Sequence, residues 1–264
     1  MRKLCIVLLL GILFSCSHHE KVLYEELTPK EFSIRLAKCP VAYLPLGTLE
    51  WHGDHLPLGS DGLQSQGFFK RLAKEVGGIV LPMIFLGPDR FDTTFNGKEY
   101  YGMDFGRELH KGNYKTQQLI GSSYWVTDST FNSMMHGIMK QLSRAGFKIV
   151  IAHGHGPSTG YIKRHTTEFN IKYKLNVMTC WDNDSANLCL QCDHAAANET
   201  SIMMALRPEL VQIGNLPKDT AIWPLGINGR DPRIYASSKF GKEIIDFEIK
   251  KMASLINSKL KNLK

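Results

Sequence analysis

The stretch PLGTLEWHGDHLPLGSDG, Pro45 to Gly62, places Glu50, His52, Asp54, His55 and Asp61 within twelve positions. Carboxylates and imidazoles are costly to bury unless something pairs with them. Either these groups sit in water or a divalent cation gathers them. Glu50 and His52 are two apart, so on an extended segment both leave the same face and each can grip one of two neighbouring cations. Asp61 follows a Gly/Pro-rich turn that can loop it back, and the two oxygens of its carboxylate can bridge two cations. Two further clusters offer the same chemistry: His153 and His155 in AHGHGPSTG, and His194 and Glu199 in DHAAANET. His194 and Glu199 are five apart, a poor spacing for one helical face. If that segment begins as a loop with its helix capped near Asn198, both can face inward. Glycines at 154 and 156 let the backbone turn sharply around His155. Mixed nitrogen and oxygen donors suit zinc, manganese or iron. Two such cations about 3.5–4 Å apart activate water and polarise a carbonyl, which is hydrolytic chemistry.

The elements that must position these groups are legible as an alternation. TPKEFSIRLAK reads as a helix with Thr28 as N-cap and Pro29 at its first position. VAYLPL, GIVLPMIFLG, FKIVIAH and LNVMTCW are short apolar runs, expected as buried strands. Between them lie helical patterns in DGLQSQGFFKRLAKEVG, in TDSTFNSMMHGIMKQLSRAG (capped by Asp128 or Ser129) and from Ser158 to about Lys174. DHAAANETSIMMALRP and FGKEIIDFEIKKMASLINSKL add two more. Strands alternating with helices favour a mostly parallel sheet covered on both faces. In such sheets ligands gather beyond the carboxyl ends of the strands, where all three polar clusters fall. Residues 87 to 125 form a long irregular stretch, which in a compact domain is more often a functional loop than a plain connector. Tyr100, Tyr101 and Asp104 within it, and Trp181 with Asp182, Asn183 and Asp184, are candidates to line a pocket. His55 reads equally as a ligand and as a hydrogen-bond partner of one, and Asp54 as a solvated turn residue. No phosphate-cradling P-loop is present.

PLGTLEWHGDHLPLGSD resembles the first signature of the creatininase family. AHGHGPSTG is similar to its second motif, DHAAANETSIMMALRPELV to its third, and GINGRDPRIYASSKFGKEI to its closing stretch. The matches keep the family's order over about residues 40 to 250. The resemblance implies a three-layer α/β/α sandwich with a mostly parallel sheet, and two divalent metal ions that hydrolyse a C–N bond in a cyclic or linear small amide. It implies that Glu50, Asp61 and His155 hold one metal, and that His52, Asp61 and Glu199 hold the second, with Asp61 shared. His194 becomes the proton-transfer residue, and a ring-like homo-oligomer, a hexamer, is implied as the assembly. His153, Trp181 and Tyr101 are taken as substrate contacts. The chain departs from the family in its second motif. Pro157 stands where creatininase proper has a ligating carboxylate, His153 replaces the usual asparagine, and Glu199 must supply the second metal's carboxylate. A non-catalytic metal- or solute-binding lipoprotein on the same scaffold is the alternative of a different class.

The first residues read as targeting rather than fold. Arg2 and Lys3 precede an apolar run from Leu4 to Phe14 and then Ser15-Cys16, the order of an export signal. LFSC resembles a bacterial lipobox, which implies a signal peptide over 1–15, lipidation of Cys16, a tether over 16–27 and a single catalytic domain over 28–264. The expected location is the cell envelope, with the chain on the membrane through its lipid anchor. Basic residues are scattered despite a net charge of +7, and no aromatic-basic stripe marks a nucleic-acid surface. Composition, 43% hydrophobic and 22% charged, is that of a globular chain rather than a disordered one. Cys189 and Cys192 form a lone CxxC, which leaves a local disulfide and two free thiols both open and disfavours a zinc knuckle.

Overall fold

Strand β1, Val41–Leu46, is apolar at every position, and all six residues are buried. That pattern belongs to a strand covered on both faces. In the computed structural model, which describes residues 21–93, 97–105, 114–181 and 188–263, β1 lies inside a four-stranded parallel sheet. It pairs with β2 (Ile79–Val80) and β5 (Ile149–Gly154), and β5 pairs with β6 (Asn176–Met178), in the order β2-β1-β5-β6. A separate antiparallel pair, β3 (Phe91–Thr93) with β4 (Glu99–Tyr101), rises from the long irregular stretch. The leader with Cys16, and Asp182 to Asp184, lie outside the described residues.

Side-chain alternation sorts the strands between two cores. Val41, Tyr43, Ile149 and Ile151 face one of them. Here they meet helix α2 (Ser60–Val76), helix α5 (Ala197–Leu206) and the terminal helix (Ser238–Lys261), through Phe68, Phe69, Ile202, Ile244 and Met252. Ala42, Leu44, Leu46, Val150 and Ala152 face the other. There they meet helix α3 (Asp128–Ala145) and helix α4 (Gly156–Tyr173) through Phe131, Met135, Met139 and Ile162, with helix α1 (Pro29–Lys38) packed alongside. The result is the α/β/α sandwich with a parallel sheet.

The order of winding places the site. From β1 the chain crosses by α2 on one face to β2. From β5 it crosses by α4 on the opposite face to β6. Winding therefore reverses between β1 and β5, and the two loops leaving their carboxyl ends diverge and open a crevice. Residues 47–59 leave β1 there, and His155 leaves β5.

Local signals explain most boundaries. Thr28 and Glu31 cap α1 reciprocally, with Thr28 N–H donating to Glu31 Oε2 at 2.8 Å, the capping-box arrangement. Helix α3 is capped by Thr127 instead of Asp128 or Ser129, because Thr127 is the last residue with extended backbone and its Oγ1 accepts from Thr130 N–H. Strand β2 is much shorter than GIVLPMIFLG suggested, since Pro82 offers no donor to a ladder. Residues of the expected tether already join the fold: Val22 is buried, and its carbonyl accepts from Val80 N–H at 2.8 Å. Burial of Val22 moves the start of the folded unit ahead of residue 28. Cys189 and Cys192 are joined as a disulfide, while Cys39 and Cys180 are buried thiols.

Candidate metal centre

Gly154 ends β5 with φ of +140°, and a Cβ there would meet Leu46 O at 1.7 Å. Only glycine lets β5 lie this close to β1. The same Leu46 carbonyl accepts from His155 N–H at 3.1 Å, which fixes where His155 leaves the sheet. On the β1 side, Glu50 N–H donates to Leu58 O at 3.0 Å and folds the loop back. That return brings Asp61 into the first turn of α2. Asp193 holds the third segment, its carboxylate accepting from Asn198 and Glu199 N–H at the start of α5. His194 lies just before that helix, paired through its backbone with Asn228. Helix α5 itself begins at Ala197, so His194 sits on a loop and Glu199 in a first turn, and both face inward.

These supports gather two groups of side chains with Asp61 in common. Glu50, Asp61 and His155 each offer a ligand atom within 4.8 Å of the others, as do His52, Asp61 and Glu199. A third group of the same kind joins Glu50, His52 and His194. All five residues of the first two groups are buried. His52 Nδ1–H donates to Glu50 O at 3.2 Å, which turns Nε2 toward Asp61 Oδ1 at 3.3 Å and Glu199 Oε2 at 3.6 Å. An imidazole nitrogen and two carboxylate oxygens converging in a buried space require a positive charge between them, a proton or a cation. His155 presents a buried Nε2 with no hydrogen-bond partner among the described residues, 3.7 Å from Glu50 Oε1 and 3.7 Å from Asp89 Oδ2. Its Nδ1 lies 3.0 Å from Ser158 Oγ; a proton there leaves Nε2 free to bind. The donor set, imidazole nitrogen plus carboxylate oxygen with an orphaned buried nitrogen, fits a pair of divalent cations.

The electrostatics of these side chains point the same way. Burial pushes the Glu50 and Glu199 carboxyls well above the usual range, and the neighbouring Asp61 charge adds to both shifts. Burial opposes a charged His52, yet Asp61, Glu199 and Glu50 outweigh it and raise this imidazole to about 10. Burial would also raise Asp61, but the His52 charge and hydrogen bond hold it well below the carboxylate range. Protons thus partly fill the positions that cations would take.

His194 is placed differently. Its Nε2–H donates to Trp51 O at 2.8 Å, its ring lies 4.3 Å from that of His52, and its Nδ1 stands 4.0 Å from Glu50 Oε1. Burial and the His52 charge lower it to about 3, so the ring is neutral with Nδ1 as an acceptor. Glu50, Asp61, Glu199, His155 and His194 open onto one cavity of about 770 Å³, walled by Trp181, Phe105, Tyr114 and Trp223.

The other sequence-derived candidates lie elsewhere. His153 is fully buried with its ring edge-on to Trp181 at 5.3 Å, and is absent from the cavity wall. Tyr101 stacks on Trp125 at 4.0 Å and borders a smaller cavity that shares only Glu50, Asp89 and Gly102 with the first. Tyr100 is buried, and Asp104 spends its carboxylate on the amides of Tyr101 and Leu119. His55 Nε2 is 2.8 Å from Thr200 Oγ1, away from both triads, and Asp54 is exposed. Residues outside the sequence reading also reach the site: Asp89, Gln191 and Trp223. Asp89 follows the apolar run after β2, the position that flagged the other clusters. Gln191 sits inside the CxxC.

A family model described as Creatininase: Creatinine amidohydrolase matches residues 25–256. The chain is 27% identical over 222 residues to a creatinine amidohydrolase of Pseudomonas putida, spanning 74% of this chain and 75% of the relative. Two solved structures share the fold. A creatininase variant described as Zn–Zn type superposes with a TM-score of 0.67 at 23% identity, over 90% of this chain and 98% of that one. One described as Creatininase Mn gives 0.66 at 23% identity, over 90% and 98%.

Proposed function

The chain belongs to the creatininase family, and from that premise we propose how its own residues carry out metal-dependent hydrolysis of an amide C–N bond. Glu50, Asp61 and His155 would hold one divalent cation, and His52, Asp61 and Glu199 the other, as zinc, manganese or iron. Such cations lower the pKa of a water and polarise an amide carbonyl. Asp61 shares its carboxylate between the two groups and fixes their spacing. Trp51 O orients the His194 ring, so Nδ1 can take the proton that the attacking water loses and return it to the leaving nitrogen. Trp181 and Trp223 wall a cavity of about 770 Å³, roomy enough to admit a small cyclic or linear amide. Pro157, which also lines this cavity, leaves no carboxylate two positions after His155, so Glu199 supplies that charge. The observation that carries the reading is the pair of buried triads joined at Asp61 and open to one cavity.

The test is metal analysis combined with release of amine, or ring opening, from creatinine, other lactams, formamides and linear amides. Metal-dependent turnover of one of them supports the proposal. Bound metal with no turnover on any favours a metal- or solute-binding lipoprotein, a reading that rests on the altered motif around Pro157.

The same proposal extends to the cell. Residues 1–15 act as a signal peptide, Cys16 carries the lipid, and the catalytic unit sits on the envelope as a homo-oligomer, a hexamer by family resemblance. This reading rests on Arg2 and Lys3, the apolar run from Leu4 to Phe14, and Ser15-Cys16.

A further inference from the structure

Gln191 adopts φ of +51°, a left-handed conformation that residues with a Cβ rarely take. It is also buried, only 4% exposed. Such a residue persists only where its surroundings hold it, and three neighbours do so here. The disulfide joins Cys189 to Cys192 and closes a four-residue loop around it. Asn198 of α5 grips both ends of that loop, donating from Nδ2 to Cys189 O at 2.8 Å and accepting from Cys192 N–H at 3.3 Å. Trp181 Nε1–H donates to Leu190 O at 2.9 Å.

The conformation aims the side-chain amide at Asp61. Gln191 Nε2 donates to Asp61 O at 3.2 Å and to Asp61 Oδ1 at 3.3 Å. Both partners are acceptors, so nitrogen must face them. A carboxylate is planar, so a bond that fixes Oδ1 also fixes the other oxygen by stopping rotation about Cβ–Cγ. Hydrogen bonds to ligating carboxylates orient them and tune cation affinity.

We propose that Gln191 is a positioning residue for the shared carboxylate of Asp61, and that the Cys189–Cys192 disulfide is the strut that keeps it aimed. The inference rests on the reading of Asp61 as a ligand common to two cations. It gives the lone CxxC a role in cation affinity rather than in binding a cation itself.

The experiment is zinc titration of the oxidised protein against a chromophoric chelator. Three variants are compared with the unaltered chain: Gln191→Met, which keeps the shape and loses the donor; Cys189→Ser with Cys192→Ser; and all three changes together. Gln191→Met and the cysteine pair each weaken zinc binding about tenfold or more. The combined variant binds no more weakly than Gln191→Met alone, because both remove one and the same contact. Unchanged affinity in Gln191→Met overturns the proposal. So does a combined loss equal to the product of the two separate losses, which is what a disulfide acting only on general stability would give. Should the cysteine variants fail to fold, the Gln191→Met arm decides by itself. Absence of zinc from the unaltered chain would instead sink the metal reading of Asp61, so the two failures are distinct.

Discussion

Replacing Gly154 by alanine tests whether the close approach of β1 and β5 builds the site. A Cβ on residue 154 would lie 1.7 Å from Leu46 O, at a backbone φ of +140°. Contacts under 3.0 Å are essentially never seen for a real Cβ, so the strands must part by about an ångström. Strained backbone of this kind costs roughly 1–3 kcal/mol, and forcing atoms into a packed interior roughly 1–3 kcal/mol more. Taking about 4 kcal/mol and roughly 2–4 °C per kcal/mol for a chain of this size, the melting temperature falls by about 8–16 °C. The parting also breaks the bond from His155 N–H to Leu46 O, so zinc content falls together with stability. Gly137 supplies the opposite case. It is exposed on α3, and a Cβ added there would meet nothing within 4 Å. Alanine at that position gains about 0.5–1 kcal/mol from helix propensity and a stiffer unfolded chain. Thermal unfolding followed by circular dichroism, with zinc measured on the same samples, reads both. A Gly154→Ala protein that melts within about 3 °C of the unaltered chain and keeps its zinc would show that the strand contact does not build the site.

Two further outcomes follow from the site and from α1. His194→Ala lowers kcat about 10²–10⁴-fold, the usual range for a lost proton-transfer group, while zinc content stays unchanged because neither triad includes His194; kinetics and metal analysis on one preparation check this, and a loss of zinc would make His194 a ligand. The Glu31 carboxyl is held down to about 2 from an ordinary 4.5 by the Thr28 amide first, then by Lys21 and the Thr28 hydroxyl. A lowered carboxyl stabilises the fold above its unfolded pKa and ceases to do so as pH falls through its folded one. The melting-temperature advantage of the unaltered chain over Glu31→Gln is therefore full above about pH 4.5 and vanishes by about pH 2; a difference independent of pH would contradict it.

Much of the fold could be read because strands and helices carried their own signals. β1 is apolar throughout, α1 opens on Thr-Pro-x-Glu, and α3 stops at Gly146, whose φ is +103°. The site was legible where chemistry and topology coincided: Glu50 and His52 after one strand, His155 after another, Glu199 at a helix start. Asp89 escaped because it sits in a long stretch with no periodicity, and only the folded chain brings that stretch back over His155. Gln191 escaped because an amide carries no catalytic signal; its meaning lies in a left-handed backbone and a neighbour 130 positions away. His153 misled for the converse reason. Its position beside His155 in the sequence suggested a shared crevice. Residue 153 still belongs to β5 and residue 155 lies past its glycine end, so one faces the buried wall beside Trp181 and the other the crevice. Tyr101 turned toward Trp125 because the β3–β4 pair orients it by a contact across the long stretch.

Whether one carboxylate, Asp61, serves two cations is read out by metal stoichiometry, measured by mass spectrometry of the purified, folded protein. Two divalent ions per chain are expected in the unaltered protein, one in Glu199→Gln and none in Asp61→Ala, with circular dichroism confirming that each variant is folded. An Asp61→Ala protein that keeps both ions would contradict the shared-ligand arrangement on which the hydrolytic reading stands.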